Sequence, residues 1–399
     1  MRVLYVTQGF PYPLTSGNLR HYHLIRGLSE RHDISLLSTV GNDFREEHAD
    51  VMRAFCSNVE TFRSTAGSSL WRKATAQARD RVTGGGAPAA ARAVASAVEK
   101  ELAQSSVDVI LLNGRITTTV LEPAKSTPLV VDLCDAVELR LSGGLQYSSA
   151  PQRAMIRLKR RRMRHAEAKL IAAGDQLLFA SPRDREVALR NVASAPPATV
   201  LPNGVDVDYW HRTQETLGSE VVFSGNMRYE PNDDAARYLL SEVMPLVWDV
   251  EPDARLRVIG RDPTDALRRA AAGEPRVTLT GLVDDVRPHL EAGAVYVAPL
   301  RFASGIQNKL LEALAMELPV VTSPVGADGL RGDDDVEPPL VVASAADEIA
   351  SATLVALDRA RRRAEPPREG RAFVSERFSW PQAVAILEQA LERATKGGR

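Results

Sequence analysis

The sequence predicts an α/β protein of two doubly wound, parallel-sheet lobes facing each other across a cleft. Three observations carry this. Short β-branched runs alternate with longer segments of helical period along the whole chain. A second α/β series begins after Pro202-Asn203-Gly204-Val205-Asp206, a turn placed where a hinge would have to be. The 399 residues suffice for two domains that each bury a core of their own.

In the first lobe, residues 1–202, the expected strands are Val3–Thr7, Ile34–Ser38, a weaker one at Val59–Phe62, then Val109–Leu112, Leu129–Leu133 and Gln176–Ala180. Helical period is clearest at Leu19–Ser29 and Ala89–Gln104. The stretch from Thr65 to Pro88, ending in Gly84-Gly85-Gly86-Ala87-Pro88, has weak periodicity and reads as an irregular excursion. In the second lobe, residues 203–377, strands are expected at Val221–Ser224, Arg255–Ile259, Val277–Thr280, Val295–Pro299, Pro319–Thr322 and Leu340–Val342. Helices are expected at Asp233–Trp248 and Ile306–Met316. Residues 378–399 form a closing helix expected to pack back towards the first lobe.

Composition removes several classes of function. The formal charge is -1, which gives the chain no overall commitment to nucleic acid. No apolar run reaches the ~18 residues a membrane span needs. The opening MRVLYVTQGFPYP reads as a buried strand and not as a secretion signal. Cys56 and Cys134 lack metal-ligand spacing and read as reduced thiols, so the expected location is the cytoplasm. Asp206-Val207-Asp208 and Asp333-Asp334-Asp335 close no apolar strand and read as surface loops.

The segment Ala303 to Val321 concentrates the chemistry. A strand ends at Pro299, a loop runs through Ser304 and Gly305, and a helix is expected from Ile306. The free N–H groups of Gly305, Ile306 and Gln307 and the helix dipole suit an anion such as a diphosphate. Lys309 adds a full charge one turn in. Glu312 follows three residues later on the same face, where it can accept from ribose hydroxyls. Thr15-Ser16-Gly17-Asn18 ahead of a helix gives a second backbone donor site. The dense basic group Arg153, Arg157, Lys159, Arg160, Arg161, Arg162, Arg164 and Lys169 reads either as a solvated helix or as peripheral contact with an anionic inner membrane surface.

GIQNKLLEALAMELPVV resembles the donor-binding signature of retaining glycosyltransferase family 4, and especially the sugar transferases of PEP-CTERM/exosortase systems. SGNLRHYHLIRGL, DLCDAVELR, LPNGVDVDYW, VFSGNMRYEPNDDA and LTGLVDDVRPHL match in the same order, so the resemblance spans essentially the whole chain. It implies the GT-B fold of two Rossmann-like domains. It also implies a nucleotide-sugar donor held by the second lobe, an acceptor side on the first, retention at the anomeric carbon, and neither metal nor other cofactor. Gly17 is then placed at the donor diphosphate and Val283 at the nucleotide base. Asp132, and less directly Asp135, fall beside the reacting sugar, where a carboxylate can orient or deprotonate the acceptor hydroxyl.

Two positions depart from the family pattern. A glutamate seven residues before Glu312 is usual, and Ser304 stands there. The usual arginine and lysine of the phosphate clamp fall on Asn226 and Pro231, which leaves Arg228 and Lys309 as the candidate cations. The partners expected are a nucleotide-sugar donor and a saccharide, lipid-linked or small-molecule acceptor, and no nucleic acid. Two other readings share the architecture: a nucleotide-sugar epimerase, and a non-catalytic nucleotide-sugar-binding or partner subunit.

Overall fold

The computed structural model describes residues 1–14, 18–41, 43–63, 89–143, 145, 150–334, 336–363 and 365–397. The expected excursion from Thr65 to Pro88 lies outside these residues, as do Thr15, Ser16, Gly17 and Asp335.

The first sheet contains β1 (Arg2–Thr7), β2 (Asp33–Val40), β3 (Asn58–Arg63), β4 (Val109–Asn113), β5 (Leu129–Cys134), β6 (Gln176–Phe179) and β7 (Ala198–Val200). Their order is β3-β2-β1-β4-β5-β6-β7, parallel throughout. The second sheet holds β8 (Glu220–Ser224), β9 (Arg255–Ile259), β10 (Val277–Leu279), β11 (Gly293–Ala298), β12 (Val320–Thr322) and β13 (Val341–Val342). It is also parallel, in the order β10-β9-β8-β11-β12-β13. The central strands are apolar on both faces because helices cover both: β11 is buried at every position. In each sheet the winding reverses once, between β1 and β4 and between β8 and β11. Loops leaving the C-terminal strand ends diverge there and open a crevice.

Three local features differ from the sequence expectation. β7 was not expected, because three residues after Pro196-Pro197 are too few to display a period and are ordered by pairing with β6. The helix expected at Asp233–Trp248 starts at Glu230, with Pro231 in its first turn, and passes through a π-helical turn, Leu239–Val243, into Met244–Val250. Pro245 has no N–H to continue the regular ladder, so the turn widens there. The helix expected from Ile306 begins at Asn308, after Gly305 at φ 62° and Gln307 in extended backbone.

The Trp380–Lys396 helix crosses back to the first lobe, where Trp380, Val384, Leu387 and Leu391 share a core with Leu24 and Leu28. The His23 ring stacks on Trp380 with centroids 4.4 Å apart and planes 9° apart. Burial pushes the His23 imidazole down to about 4, so it stacks as a neutral ring at physiological pH. Gly204 in the linker lies against the same indole: a Cβ there would come within 2.6 Å of the ring. Glu388 receives Arg31 (2.6 Å) and His32 (3.0 Å) from the first lobe. Among the described residues no helix is long and apolar enough to cross a membrane.

Trp380 thus fastens the closing helix, the linker and the Leu19–Leu28 helix together. Trp380→Ala is expected to cost about 3–5 kcal/mol, read as a lower urea midpoint at unchanged slope. A loss below about 1 kcal/mol would show that the closing helix is held elsewhere.

Candidate active site between the lobes

The second-lobe wall is built from the loops that follow β8, β9, β10 and β11. Gly260, at φ 140°, sits so close to the Gly225 carbonyl that a Cβ would lie 1.9 Å from its oxygen; only glycine fits. Gly260 also bridges to Gly281, which brings the ends of β8, β9 and β10 into one floor. Asn226 shapes the loop above it: its side chain accepts from the Arg228 N–H (3.0 Å), and its carbonyl accepts from Asn232 Nδ2 (3.0 Å). Val283 packs partly buried against the second-lobe core.

Lys309 and Glu312 lie in the first turns of the Asn308–Ala315 helix, facing that floor. Lys309 Nζ donates to Asn232 Oδ1 and stands 5.2 Å over the Phe223 ring. Burial pulls the Lys309 ammonium down to about 7, opposed by Glu312, and the same burial pushes Glu312 up to about 7, opposed by Lys309. A lysine short of its full charge is what an anionic ligand would restore. Arg301, in the loop before the helix, is committed to the buried Asp234 and holds the loop in place.

Across the cleft the first lobe presents carboxylates. Ser304 Oγ donates to Asp135 Oδ2 at 2.7 Å, and Gly305 N–H donates to Asp184 Oδ2 at 3.1 Å. Asp184 also accepts from Ala136 N–H and Ser181 Oγ, and burial raises its pKa. Tyr229 is 40% exposed, but its phenol end is directed at Ser304, where desolvation and then the Asp135 charge raise its pKa. Asn203 in the linker donates to Asn308 Oδ1 (2.8 Å) at the start of the signature helix. Farther out, Arg183 pairs with Asp328 (3.1 Å) and Arg185 with Asp333 (2.8 Å), while Asp334 takes Arg377. The acids expected as solvated surface therefore include a tie between the lobes.

Asp132, expected beside the acceptor, is 2% exposed and fully engaged. Its Oδ2 accepts from Arg20 Nε (2.9 Å) and its Oδ1 from Arg20 Nη2 (3.2 Å) and Cys134 N–H (3.1 Å). These three hydrogen bonds and its burial commit the carboxylate to Arg20 and the backbone. It fixes the turn after β5, where Cys134 takes φ 61°, and so aims Asp135 at the cleft. Arg20 Nη1 continues to the Leu201 carbonyl and to Asn203 Oδ1, both at 2.9 Å.

The structure therefore brings together Asn226, Ser304, Gly305, Lys309 and Glu312. Ile306 and Gln307 are buried behind the turn they form. Arg228 is not drawn in; its side chain is 81% exposed and its nearest acid is Asp262, 3.9 Å away. Gly17 lies outside the described residues. Tyr229, Asn232 and Asp184 were not singled out in the sequence. The first two sit in the quoted VFSGNMRYEPNDDA, and Ser181-x-x-Asp184 reads only as a helix cap.

Two parallel-sheet Rossmann-like domains with their strand ends facing this cleft define the GT-B class of fold. Residues 218–359 match the sequence model of the family described as Glycosyl transferases group 1, which supports a glycosyltransferase. In fold the chain is similar to sucrose-phosphate synthase from Thermosynechococcus elongatus, at TM-score 0.72 and 18% identity, covering 100% of both chains. It is similar to Anabaena HepE in complex with UDP-glucose, at TM-score 0.68 and 14% identity, covering 98% of this chain and 99% of that one. It is also similar to the structure described as trehalose-6-phosphate from E. coli bound with UDP-2-fluoro glucose, at TM-score 0.62 and 12% identity, covering 99% of each. No curated protein matches the sequence.

Removing Arg20 strands a buried carboxylate. Arg20→Met is expected to destabilise the protein by about 3–5 kcal/mol, and Arg20→Met/Asp132→Leu by less than that single change. A denaturation double-mutant cycle measures this; additive losses would mean that the pair is not coupled.

Proposed function

We propose that this protein is a retaining, metal-independent glycosyltransferase moving a hexosyl group from a nucleotide-diphosphate sugar to a hydroxyl acceptor. The observation that carries it is the juxtaposition, across the cleft, of the Gly305–Lys309 turn with Asp135 and Asp184. The phosphates belong at the turn and the sugar between it and the opposing acids. UDP-sugars bound to two proteins of like fold support a uridine donor here.

Breaking the bond from the anomeric carbon to the diphosphate leaves negative charge on the leaving group. Preorganised positive potential is the protein's main lever on that step. Lys309 and the N–H groups of the signature turn supply it, and Arg228 can swing in from solvent as a second cation. Asp184 occupies the Gly305 N–H in the closed arrangement, so donor binding at that N–H requires the lobes to part about residues 202–204. Where the family pattern has a glutamate, Ser304 relays Asp135 of the other lobe, which puts a carboxylate back within reach of the sugar hydroxyls. Asp132, through Arg20, positions that acid. In this reading Val283 abuts the base, Glu312 the ribose and Gly17 the diphosphate.

Calorimetry with UDP-, GDP- and dTDP-sugars in EDTA tests the donor site. One donor is expected to bind, with Lys309→Ala and Glu312→Ala each weakening it about tenfold or more. Asp135→Asn is expected to lower turnover more than donor affinity. Unaltered binding by both helix variants would refute the site, and binding without any transferred sugar would favour a non-catalytic subunit. The anomeric configuration of the product, read by NMR, decides retention.

The pH dependence follows from Lys309 and Glu312. Below about 7 the lysine is charged and the glutamate neutral, which favours the diphosphate; above it the lysine loses its charge and the glutamate gains one. UDP-glucose, whose phosphates do not titrate near 7, is therefore expected to bind more weakly as pH rises from 6 to 8.5, approaching about tenfold per unit for each proton required. Lys309→Arg should flatten that slope. A flat wild-type profile would mean that neither group meets the phosphates.

A further inference from the structure

The Ala150–Ala173 helix is oddly supported. From Ala150 to Ala166 none of its residues is buried, and Glu167, Leu170 and Ile171 are the buried ones that root it. At about 1.5 Å per residue this leaves an arm of roughly 25 Å on the outside of the first lobe. Its sequence carries eight Lys/Arg against one acid, Glu167, in a chain whose net charge is -1. Met155 and Leu158 are 67% and 54% exposed, and with Arg162 they form one stripe at i, i+3 and i+7. Lys159, Arg161 and Arg162 surround them, all exposed.

We infer that the outward face of this helix docks on an anionic membrane surface, with Met155 and Leu158 entering the headgroup layer and the surrounding Lys and Arg side chains meeting acidic lipid phosphates. Charge complementarity selects an anionic partner, and the apolar pair inside the basic field selects a bilayer among anionic partners. Long apolar side chains gain by leaving water between lipids, whereas a nucleic-acid backbone offers them nothing, and this helix carries no Phe, Tyr or Trp to stack on a base. Each well-placed basic residue adds to the attraction and the apolar side chains anchor it.

The arm is fastened to the wall of the cleft. Glu167 accepts the Val137 N–H (3.1 Å), and Arg160 donates to Glu138 (3.3 Å) and Ser142 (3.2 Å) on the Val137–Ser142 helix, which begins two residues after Asp135. Docking would therefore hold the acceptor side of the cleft near the lipid surface, where a lipid-linked acceptor resides. That last step rests on the transferase reading; the docking does not.

Vesicle sedimentation with the full chain tests it, using phosphatidylcholine alone or mixed with phosphatidylglycerol. Binding is expected only to the mixed vesicles and should fall with added salt. Arg161→Glu/Arg162→Glu should lower the partition coefficient roughly tenfold or more. Met155→Ser/Leu158→Ser should also lower it, while leaving any heparin binding unchanged. UDP-glucose binding and circular dichroism of the variants confirm the fold independently of vesicle binding. The proposal is overturned if the mixed vesicles are not bound at low salt, or if neither pair of substitutions changes vesicle binding. Tight binding of a DNA duplex together with indifference to vesicles would overturn it in favour of nucleic acid.

Discussion

The buried ion pair between Arg20 and Asp132 is the constraint on which the cleft depends. An isolated charge in the first-lobe core would be strongly disfavoured, and the bidentate geometry with further hydrogen bonds is what makes the pair tolerable. Burial alone would lower the Arg20 pKa, but Asp132 overrides it and keeps the guanidinium charged. The remaining donors of Arg20 bind the linker at Leu201 and Asn203, and Asn203 passes the constraint to Asn308 on the signature helix. One guanidinium thus registers the turn after β5, the interlobe linker and the donor helix. Behind it, Tyr5 shares a 2.7 Å hydrogen bond with His21, whose imidazole burial pushes down to about 4, so the adjacent polar layer adds no second charge.

That arrangement gives two carboxylates at one strand end different surroundings. Asp132 is spent on position, with both oxygens occupied, and Asp135 lies three residues on at the cleft. The facing lobe answers with Ser304, Gly305 and Tyr229. Asp184 completes the edge by accepting from Ser181, the cap of its own helix, and taking a backbone N–H from the other lobe. Contacts of this kind are short and polar, and they tie the two lobes through single side chains and backbone N–H groups.

Both sheets were legible because buried parallel strands are written as apolar runs and the helices between them as a 3.6-residue period. The signature turn was legible for a similar reason: a strand, a glycine and a helix start fall within a few consecutive residues. Local signals misplaced its first helical residue by two, since the positive φ of Gly305 and the extended Gln307 are set by the packing of the loop. The π-turn before Pro245 had a sequence cause, the missing N–H, but not a sequence signature.

By itself, the sequence determined two α/β lobes, the linker between them, the anion-suited turn at Gly305–Lys309 and the basic character of the Arg153–Lys169 segment. All of these are short-range patterns, carried by residues near one another in the chain. Only the tertiary structure decided that Asp132 is bound by Arg20, that Asp184 meets Gly305, that Ser304 leans on Asp135, and that Met155 and Leu158 are exposed. Each is a contact, or the lack of one, between elements far apart in sequence: 121 residues separate Asp184 from Gly305, and 169 separate Asp135 from Ser304. Such pairings are fixed by how two sheets and a returning helix pack, and side-chain type at a position does not encode which distant partner will be there.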